Sequence, residues 1–127
     1  MEKFHKSERL CSRKAIGRLF SDGNTLFYYP FRLLWSESGE DAGVSARIAI
    51  SVPRKRFKKA SERNRIKRLI RESYRRNKGI VLESLEASGS NIDIMIIYVS
   101  ERMYAYDHID LKLRKILKEL VTAHENC

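Results

Sequence analysis

One stretch of this chain, residues 54–78, carries all of its excess positive charge and so limits how the chain can fold. The stretch holds 13 basic and two acidic residues, a net charge of +11, whereas the other 102 residues hold 13 basic and 14 acidic. Charged side chains are rarely buried, so the stretch must lie on the surface of any fold. Its apolar residues recur at the spacing of one helix face, at Ile66, Leu69, Ile70 and Tyr74. We therefore predict a surface helix that is capped by Ser61 and runs to about Asn77.

The opposite side of this predicted helix carries bases without acids. Four bases and one amide fall within about 100° of arc there, namely Asn64, Lys67, Arg68, Arg71 and Arg75. A solvated helix face usually interleaves both signs as i,i+4 pairs, whereas like charges alone repel one another. Bound phosphates would neutralise such a face. Because arginine dominates the helix and its planar fork suits phosphates and bases, we interpret the face as an RNA-binding surface.

The N-terminal part of the chain predicts a short helix followed by strands. Ser12 can cap a helix over about residues 12–21, and Gly23 can end it. The aromatic run over residues 25–36 favours strand. Pro30, which cannot donate to a ladder, divides the run into two strands or places it at an edge. The aromatic cluster is interpreted mainly as sheet core, with one or two rings facing RNA: Phe27, Tyr28, Tyr29 and Phe31.

The rest of the chain predicts alternating strands, loops and helices. In order they are a hairpin loop over 36–43, a half-buried strand over 44–52, a basic loop over 53–60, the basic helix, a helix tail and loop over 79–91, and a buried strand over 91–100. Asp107 or Asp110 can cap a last helix. Its buried stripe would consist of Ile109, Leu113, Ile116, Leu117 and Leu120. This order indicates a single α+β domain over residues 1–127, with its core over about 8–122.

Several classes of protein fit this chain poorly. The longest apolar run, Ile94–Val99, is far shorter than the ~20 residues of a membrane-spanning helix, and the first ten residues lack the apolar core of a signal peptide. We therefore expect a cytoplasmic protein. Cys11 and Cys127 have no partner at metal-ligand spacing, so we expect free thiols and no metal site. No motif of a nucleophile, a phosphate loop or a metalloprotease is present, and we expect no catalytic residues.

Residues 63–71 read Arg-Asn-Arg-Ile-Lys-Arg-Leu-Ile-Arg. This run resembles the signature helix of the bacterial ribonuclease P protein family: R-N-R, one residue, K-R, two residues, R. Residues 48–55 (IAISVPRK) resemble the strand that leads into the family's basic loop. The first helix resembles the family pattern at Arg9, Leu10, Ile16, Leu19, Phe20 and Gly23. With the strand over 91–100 and the last helix, the resemblance covers about residues 8–122.

The resemblance implies a fold and a function. The fold would be α-β-β-β-α-β-α, with a four-stranded sheet packed by helices and an unusual left-handed βαβ crossover. The function would be that of the non-catalytic protein subunit of ribonuclease P, which binds a catalytic RNA and the 5′ leader of precursor tRNA. The RNA would use magnesium ions, and neither DNA nor a membrane would be a partner. The alternatives are a structural RNA-binding protein without a role in cleavage, a helix-turn-helix DNA-binding protein and an enzyme that acts alone.

The resemblance also implies site residues, because the signature helix and the loop before it would face the RNA subunit. With the neighbouring bases, the predicted RNA-binding residues are Arg54, Lys55, Arg56, Lys58, Lys59, Arg63, Asn64, Arg65, Lys67, Arg68, Arg71 and Arg75. A cleft between the first helix and the sheet would hold the leader, lined by Arg9, Ile16, Phe20, Tyr29 and Phe31. Many members carry an aromatic residue where this chain has Ile16 and a tyrosine where it has Leu34. We therefore expect Tyr29 to supply stacking surface in their place.

Overall fold

The structure is a computed structural model that describes residues 8–38 and 45–126. The helices within these ranges are α1 (Arg13–Asp22), α2 (Ala60–Asn77), α3 (Gly79–Ser88) and α4 (Tyr106–Glu125). The strands are β1 (Asn24–Tyr28), β2 (Phe31–Glu37), β3 (Ala46–Ser51) and β4 (Ile92–Tyr98). They form one mixed sheet in the order β1-β2-β4-β3, in which only β3 and β4 pair in parallel. The predicted α+β class is confirmed. None of the described helices is long and apolar enough to cross a bilayer.

Helices cover both faces of the sheet at its central strand, β4. On one face, Ile94, Ile96 and Tyr98 belong to the main core, together with residues of α2, α3 and α4. On the other face, Met95 and Ile97 pack against α1. All seven residues of β4 are buried, which explains why its sequence is almost continuously apolar rather than alternating. The predicted stripe of α4 is fully buried in the main core.

The connection from β3 through α2 and α3 to β4 follows a left-handed path. Ile92 donates its N–H to the carbonyl of Ser45, which leads into β3 (2.9 Å), while the Ile92 side chain lies in the main core under the helices. In a strand of L-residues that runs upward, a side chain facing the viewer has its N–H on the right. Seen from these helices, β3 therefore lies to the right of β4, and the chain crosses from right to left in front of the sheet. This is the rare hand that the resemblance implies.

The predicted first helix and its two end signals are confirmed. The hydroxyl of Ser12 accepts a hydrogen bond from the N–H of Ala15 (3.2 Å), and α1 ends just before Gly23. A Cβ atom at Gly23 would lie 2.3 Å from the carbonyl oxygen of Leu19, so only glycine fits against this last turn. Pro30 lies in the turn between β1 and β2, and the aromatic run therefore forms two strands.

The predicted cap of the basic helix is wrong by two residues. α2 begins at Ala60 with Lys59 at the N-cap, and no side chain caps it, so Ser61 lies inside the first turn. The carboxylate of Glu62 is in that first turn, where negative charge interacts favourably with the helix dipole. The end of the helix at Asn77 is confirmed.

Neither aspartate predicted to cap the last helix does so. α4 follows Ala105, and Asp107 lies in its first turn. The carboxylate of Asp110 instead accepts hydrogen bonds from the hydroxyl of Ser73 (2.7 Å) and the side-chain amide of Asn77 (2.8 Å). These two bonds join α4 to α2, and no local pattern predicts them.

Residues 79–88 form a separate helix, α3, rather than the predicted helix tail and loop. Val81 and Leu85 lie one turn apart and are buried in the main core, and this packing stabilises a helix with weak periodicity. The helix ends at Gly89, whose φ of +69° is the left-handed conformation that glycine adopts readily. Ser90 then donates its N–H to the carbonyl of Leu85 (3.0 Å).

The predicted hairpin loop over residues 36–43 is also wrong. Ser36 and Glu37 belong to β2, and β2 is not adjacent to β3 because β4 lies between them. The predicted strand over 44–52 is confirmed as β3, with Ala46 and Ile48 buried. Residues 39–44 lie outside the described residues.

Candidate nucleic-acid interface

Four cations on α2 have no anionic partner. Within residues 8–38 and 45–126, no side-chain hydrogen bond or ion pair involves Arg65, Lys67, Arg68 or Arg71. The three arginines are exposed and the lysine is half-buried. The other side of the helix is buried in the main core, so the two-sided helix is confirmed. Mutual repulsion of these cations lowers the stability of the free protein until an anion neutralises them.

Arg63 is engaged within the chain instead. Its guanidinium donates from Nη1 to the carbonyls of Phe57 (2.9 Å) and Lys58 (2.8 Å), which belong to the basic loop. Phe57 itself is buried, with its ring 6.1 Å from that of Tyr98. One buried ring and one arginine therefore hold the loop against the start of α2. The cations that this loop exposes are Arg54, Lys55, Lys58 and Lys59.

In the last turn of α2, one carboxylate holds two arginines. Glu72 accepts hydrogen bonds from Arg75 and from Nε of Arg76 (2.9 Å). The hydrogen bond from Arg75, and next that from Arg76, lowers the pKa of the Glu72 carboxyl. Arg75 thus differs from the other predicted RNA-binding residues of the helix, because a carboxylate already holds it.

The N-terminal segment completes a groove beside α2. Leu10 donates its N–H to the carbonyl of Ile48 (2.8 Å), which adds a short parallel bridge to the outer edge of β3. Arg9 and Cys11 then line a groove of about 240 Å³ together with β3 and with Lys67 and Arg71 of α2. Arg9, predicted as a cleft residue, therefore lies next to the cations of the signature helix.

The predicted cleft between α1 and the sheet contains two of its five predicted residues. Ile16 is half-buried and packs on the cluster formed by α1 and the sheet, and Leu34 is buried in that cluster. The ring of Phe20 is 61% exposed. Phe27, which lies opposite Arg32 in the β1–β2 pair, is 60% exposed and is on the same face of the sheet. The cleft therefore has one predicted ring, Phe20, and one that the prediction missed, Phe27.

The assignment of Phe31 to this cleft is wrong. Phe31 is fully buried in the main core, where its ring contacts that of Tyr98 edge-on. Successive side chains of a strand point to opposite faces, so Arg32 faces the α1 side and Phe31 the other. Tyr29 also lies away from the cleft, in the β1–β2 turn, and its hydroxyl donates to that of Ser100 (2.8 Å).

Comparisons with known proteins match both the sequence and the fold. The family model described as Ribonuclease P matches residues 4–121. The chain belongs to this family. A ribonuclease P protein component from Porphyromonas gingivalis is 33% identical over 88% of this chain and 82% of its own length. One from Thermotoga maritima is 32% identical, over 94% of this chain and 97% of its own length.

Solved ribonuclease P proteins share this fold over most of the chain. The structure of the Thermotoga maritima protein superposes with a TM-score of 0.70 at 32% identity, covering 88% of this chain and 96% of that one. The Staphylococcus aureus protein has a TM-score of 0.72 at 26% identity, covering 91% and 96%. As a ribonuclease P family protein, the chain thus has the expected fold over nearly its whole length. Its site residues stay predictions, which the positions described above refine.

Proposed function

We propose that this chain is the protein subunit of a ribonuclease P, and that it binds the RNA subunit through α2 and the basic loop. The observation that carries the proposal is the set of unpaired cations on α2, in a chain that belongs to the ribonuclease P family. Phosphates would neutralise these cations and release counterions from the RNA, so binding would weaken steeply as salt is added. The planar guanidinium of each arginine would also donate hydrogen bonds to two phosphate oxygens at once.

The face of the sheet beside α1 would hold the single-stranded 5′ leader of precursor tRNA. Phe20 and Phe27 present exposed rings there, and Arg32 adds an exposed cation opposite Phe27. Stacking on aromatic rings tolerates any base, because every base has a π-face. Such a surface would let one subunit serve precursors that differ in leader sequence.

Catalysis would belong to the RNA subunit and its magnesium ions. The protein would contribute cations that screen the repulsion between two RNA molecules, and a surface that holds the leader. In this proposal the complex holds precursor tRNA at a lower magnesium concentration than the RNA alone.

The proposal is tested by cleavage of precursor tRNA at low magnesium with a bacterial ribonuclease P RNA. Stimulation is expected only when RNA and protein are both present. Arg68→Gln should reduce the stimulation, whereas Lys118→Gln, which removes an exposed charge from α4, should not. Salt-dependent RNA binding without stimulation would instead support a structural RNA-binding protein. Cleavage by the protein without RNA would show an enzyme that acts alone.

A further inference from the structure

A second aromatic site lies at the edge of the sheet, where the β1–β2 turn meets the start of α4. A cavity of about 420 Å³ opens there, which we call the edge basin; its lining residues are Phe27, Tyr28, Tyr29, Tyr104, His108 and Lys112. The volume falls within the ~300–1,000 Å³ of small-molecule sites. The basin involves neither α1 nor α2, and of the residues named for the two surfaces in the proposed function it shares only Phe27.

The rings of the edge basin are held in place by one another. Those of Tyr104 and His108 stack at 4.1 Å with an interplanar angle of 19°. The ring of Tyr29 meets Tyr104 at nearly a right angle, with centroids 6.5 Å apart, and its hydroxyl is bonded to Ser100. Despite these contacts, Tyr29 remains 46% exposed. Ring surface is thus presented to solvent in a fixed orientation, which lowers the entropy cost of binding a flat ligand.

The charge of the basin selects an anionic ligand. Its lining contains Lys112 and no carboxylate. The ammonium of Lys112 lies 5.3 Å from the centre of the Tyr28 ring, and that of Lys115 lies 5.6 Å from it. Neither lysine forms an ion pair with a carboxylate in the described part of the chain. A larger cavity of about 770 Å³ has the opposite character, because three glutamates line it.

The basin is also connected to the basic loop of the proposed RNA interface. Ser100, which accepts the hydrogen bond from Tyr29, is followed by Glu101, whose carboxylate lies 3.9 Å from the guanidinium of Arg56. The β4–α4 connection therefore contacts the basin with one residue and the basic loop with the next.

We propose that the edge basin binds one unpaired nucleotide, with its base against Phe27 and Tyr29 and its phosphate beside Lys112. The exposed rings suit a flat ring system, and the ammonium of Lys112 suits an anionic group attached to it. The inference rests on the proposed function only in taking RNA as the source of that nucleotide. The site itself belongs to the protein alone and is testable without the RNA subunit.

The test is an NMR titration of the full-length protein with adenosine 5′-monophosphate. Ring resonances of Tyr29, Tyr104 and His108 should shift together and saturate. Since a stacked base contributes ~1–3 kcal/mol, Tyr29→Leu should raise Kd about five-fold or more. Lys112→Gln should raise Kd several-fold, whereas the matched variant Lys118→Gln should leave it within about two-fold. Lys112 belongs to the basin and not to the leader surface, so Lys112→Gln remains a test of the basin if Tyr29→Leu does not fold.

Three results would overturn the assignment. Shifts that do not saturate, or that occur only on α1 and α2, would show that the basin does not bind nucleotides. Equal shifts with inorganic phosphate alone would show an anion site without base recognition. Equal affinity in Lys112→Gln and Lys118→Gln would show that the phosphate is not beside Lys112. Each of these results would leave the cleavage test of the proposed function unaffected.

Discussion

Arg63 and Arg68 lie on the same helix, five residues apart, and have different roles. The guanidinium of Arg63 is bonded to two carbonyls of the basic loop, whereas that of Arg68 is exposed and has no partner in the described ranges. Residue type therefore does not separate a structural arginine from a binding one. The difference comes from the position of each residue relative to the loop, which a helical pattern alone does not reveal.

Replacing these two arginines should affect different properties. Arg63→Ala removes both bonds to the loop and should lower the free energy of unfolding by about 2 kcal/mol. Arg68→Ala should change it by less than ~0.5 kcal/mol. It should nevertheless weaken binding to ribonuclease P RNA. The slope of the logarithm of the binding constant against the logarithm of the salt concentration should become smaller by about 1. Urea denaturation and binding at several salt concentrations measure both effects. Equal stability losses in the two variants would contradict the assignment.

The carboxyl of Glu72 should titrate below its usual value of 4.5. Its pKa is lowered by the hydrogen bonds from Arg75 and Arg76, so the contribution of these bonds to stability is present above about pH 4.5 and is lost as pH falls through the lowered pKa. An NMR titration of the carboxyl should show this directly. In Arg75→Gln the midpoint should move back toward 4.5. An unchanged midpoint would mean that Arg75 does not bond to Glu72 in solution.

At the scale of elements, the N-terminal segment depends on a buried ion pair. The ammonium of Lys78, at the junction of α2 and α3, lies 3.0 and 3.1 Å from the two carboxylate oxygens of Glu8. Both side chains are about nine-tenths buried. The pair fastens the segment whose next residues bridge to β3 and line the groove beside α2. The ion pair thereby links the packing of the N-terminal segment to the position of the basic helix.

Removing one partner of that ion pair should lower the free energy of unfolding strongly, whereas replacing both partners should lower it much less. Glu8→Gln leaves a buried ammonium without its carboxylate and should lower the free energy of unfolding by ~3 kcal/mol. The double variant Glu8→Gln with Lys78→Met should recover a large part of this loss, because neither position then carries a buried charge. Chemical denaturation of the single and double variants measures the difference. A double variant less stable than Glu8→Gln would refute this view of the pair.

Elements with strong periodicity were predictable, and contacts between distant elements were not. The buried side of α2 and the stripe of α4 follow from apolar spacing, and the fully buried β4 follows from its nearly continuous apolar run. The α3 helix was missed because only Val81 and Leu85 of it are buried. The sequence predicts Phe31 in the cleft because it does not reveal the strand register. The observed register places Phe27 on that face instead. The bonds from Ser73 and Asn77 to Asp110 join residues more than 30 positions apart.

At the scale of the whole molecule, the charge is strongly polarised. Cations without a carboxylate partner are concentrated on α2 and the basic loop, with others such as Lys112 and Lys115 on α4, whereas Glu37, Glu83 and Glu125 line a cavity of about 770 Å³. An uneven distribution of charge of this kind orients the protein as it approaches a polyanion and raises the association rate at low salt. The concentration of charge in one stretch of sequence predicted this polarity, and the fold preserves it.

Reversing charge on the basic face should therefore weaken RNA binding far more than the change in net charge explains. Lys67→Glu with Arg71→Glu should reduce affinity for ribonuclease P RNA by more than ten-fold and flatten its salt dependence. Lys118→Glu makes the same change of sign on α4 and should have a small effect per charge. Filter binding over a range of salt measures both. Equal effects per reversed charge would show that binding follows net charge rather than this face.

The central position of β4 has a consequence for the timing of folding during synthesis. Both of its neighbours, β2 and β3, come earlier in the chain, and they do not pair with each other. Until residues 92–98 leave the ribosome, the sheet exists only as a β1–β2 hairpin and a separate strand. Two-stranded hairpins are marginally stable in water, so a lasting fold must wait for about three quarters of the chain. The arginine-rich helix is made before that moment, so the growing chain exposes its cations while it is still unfolded.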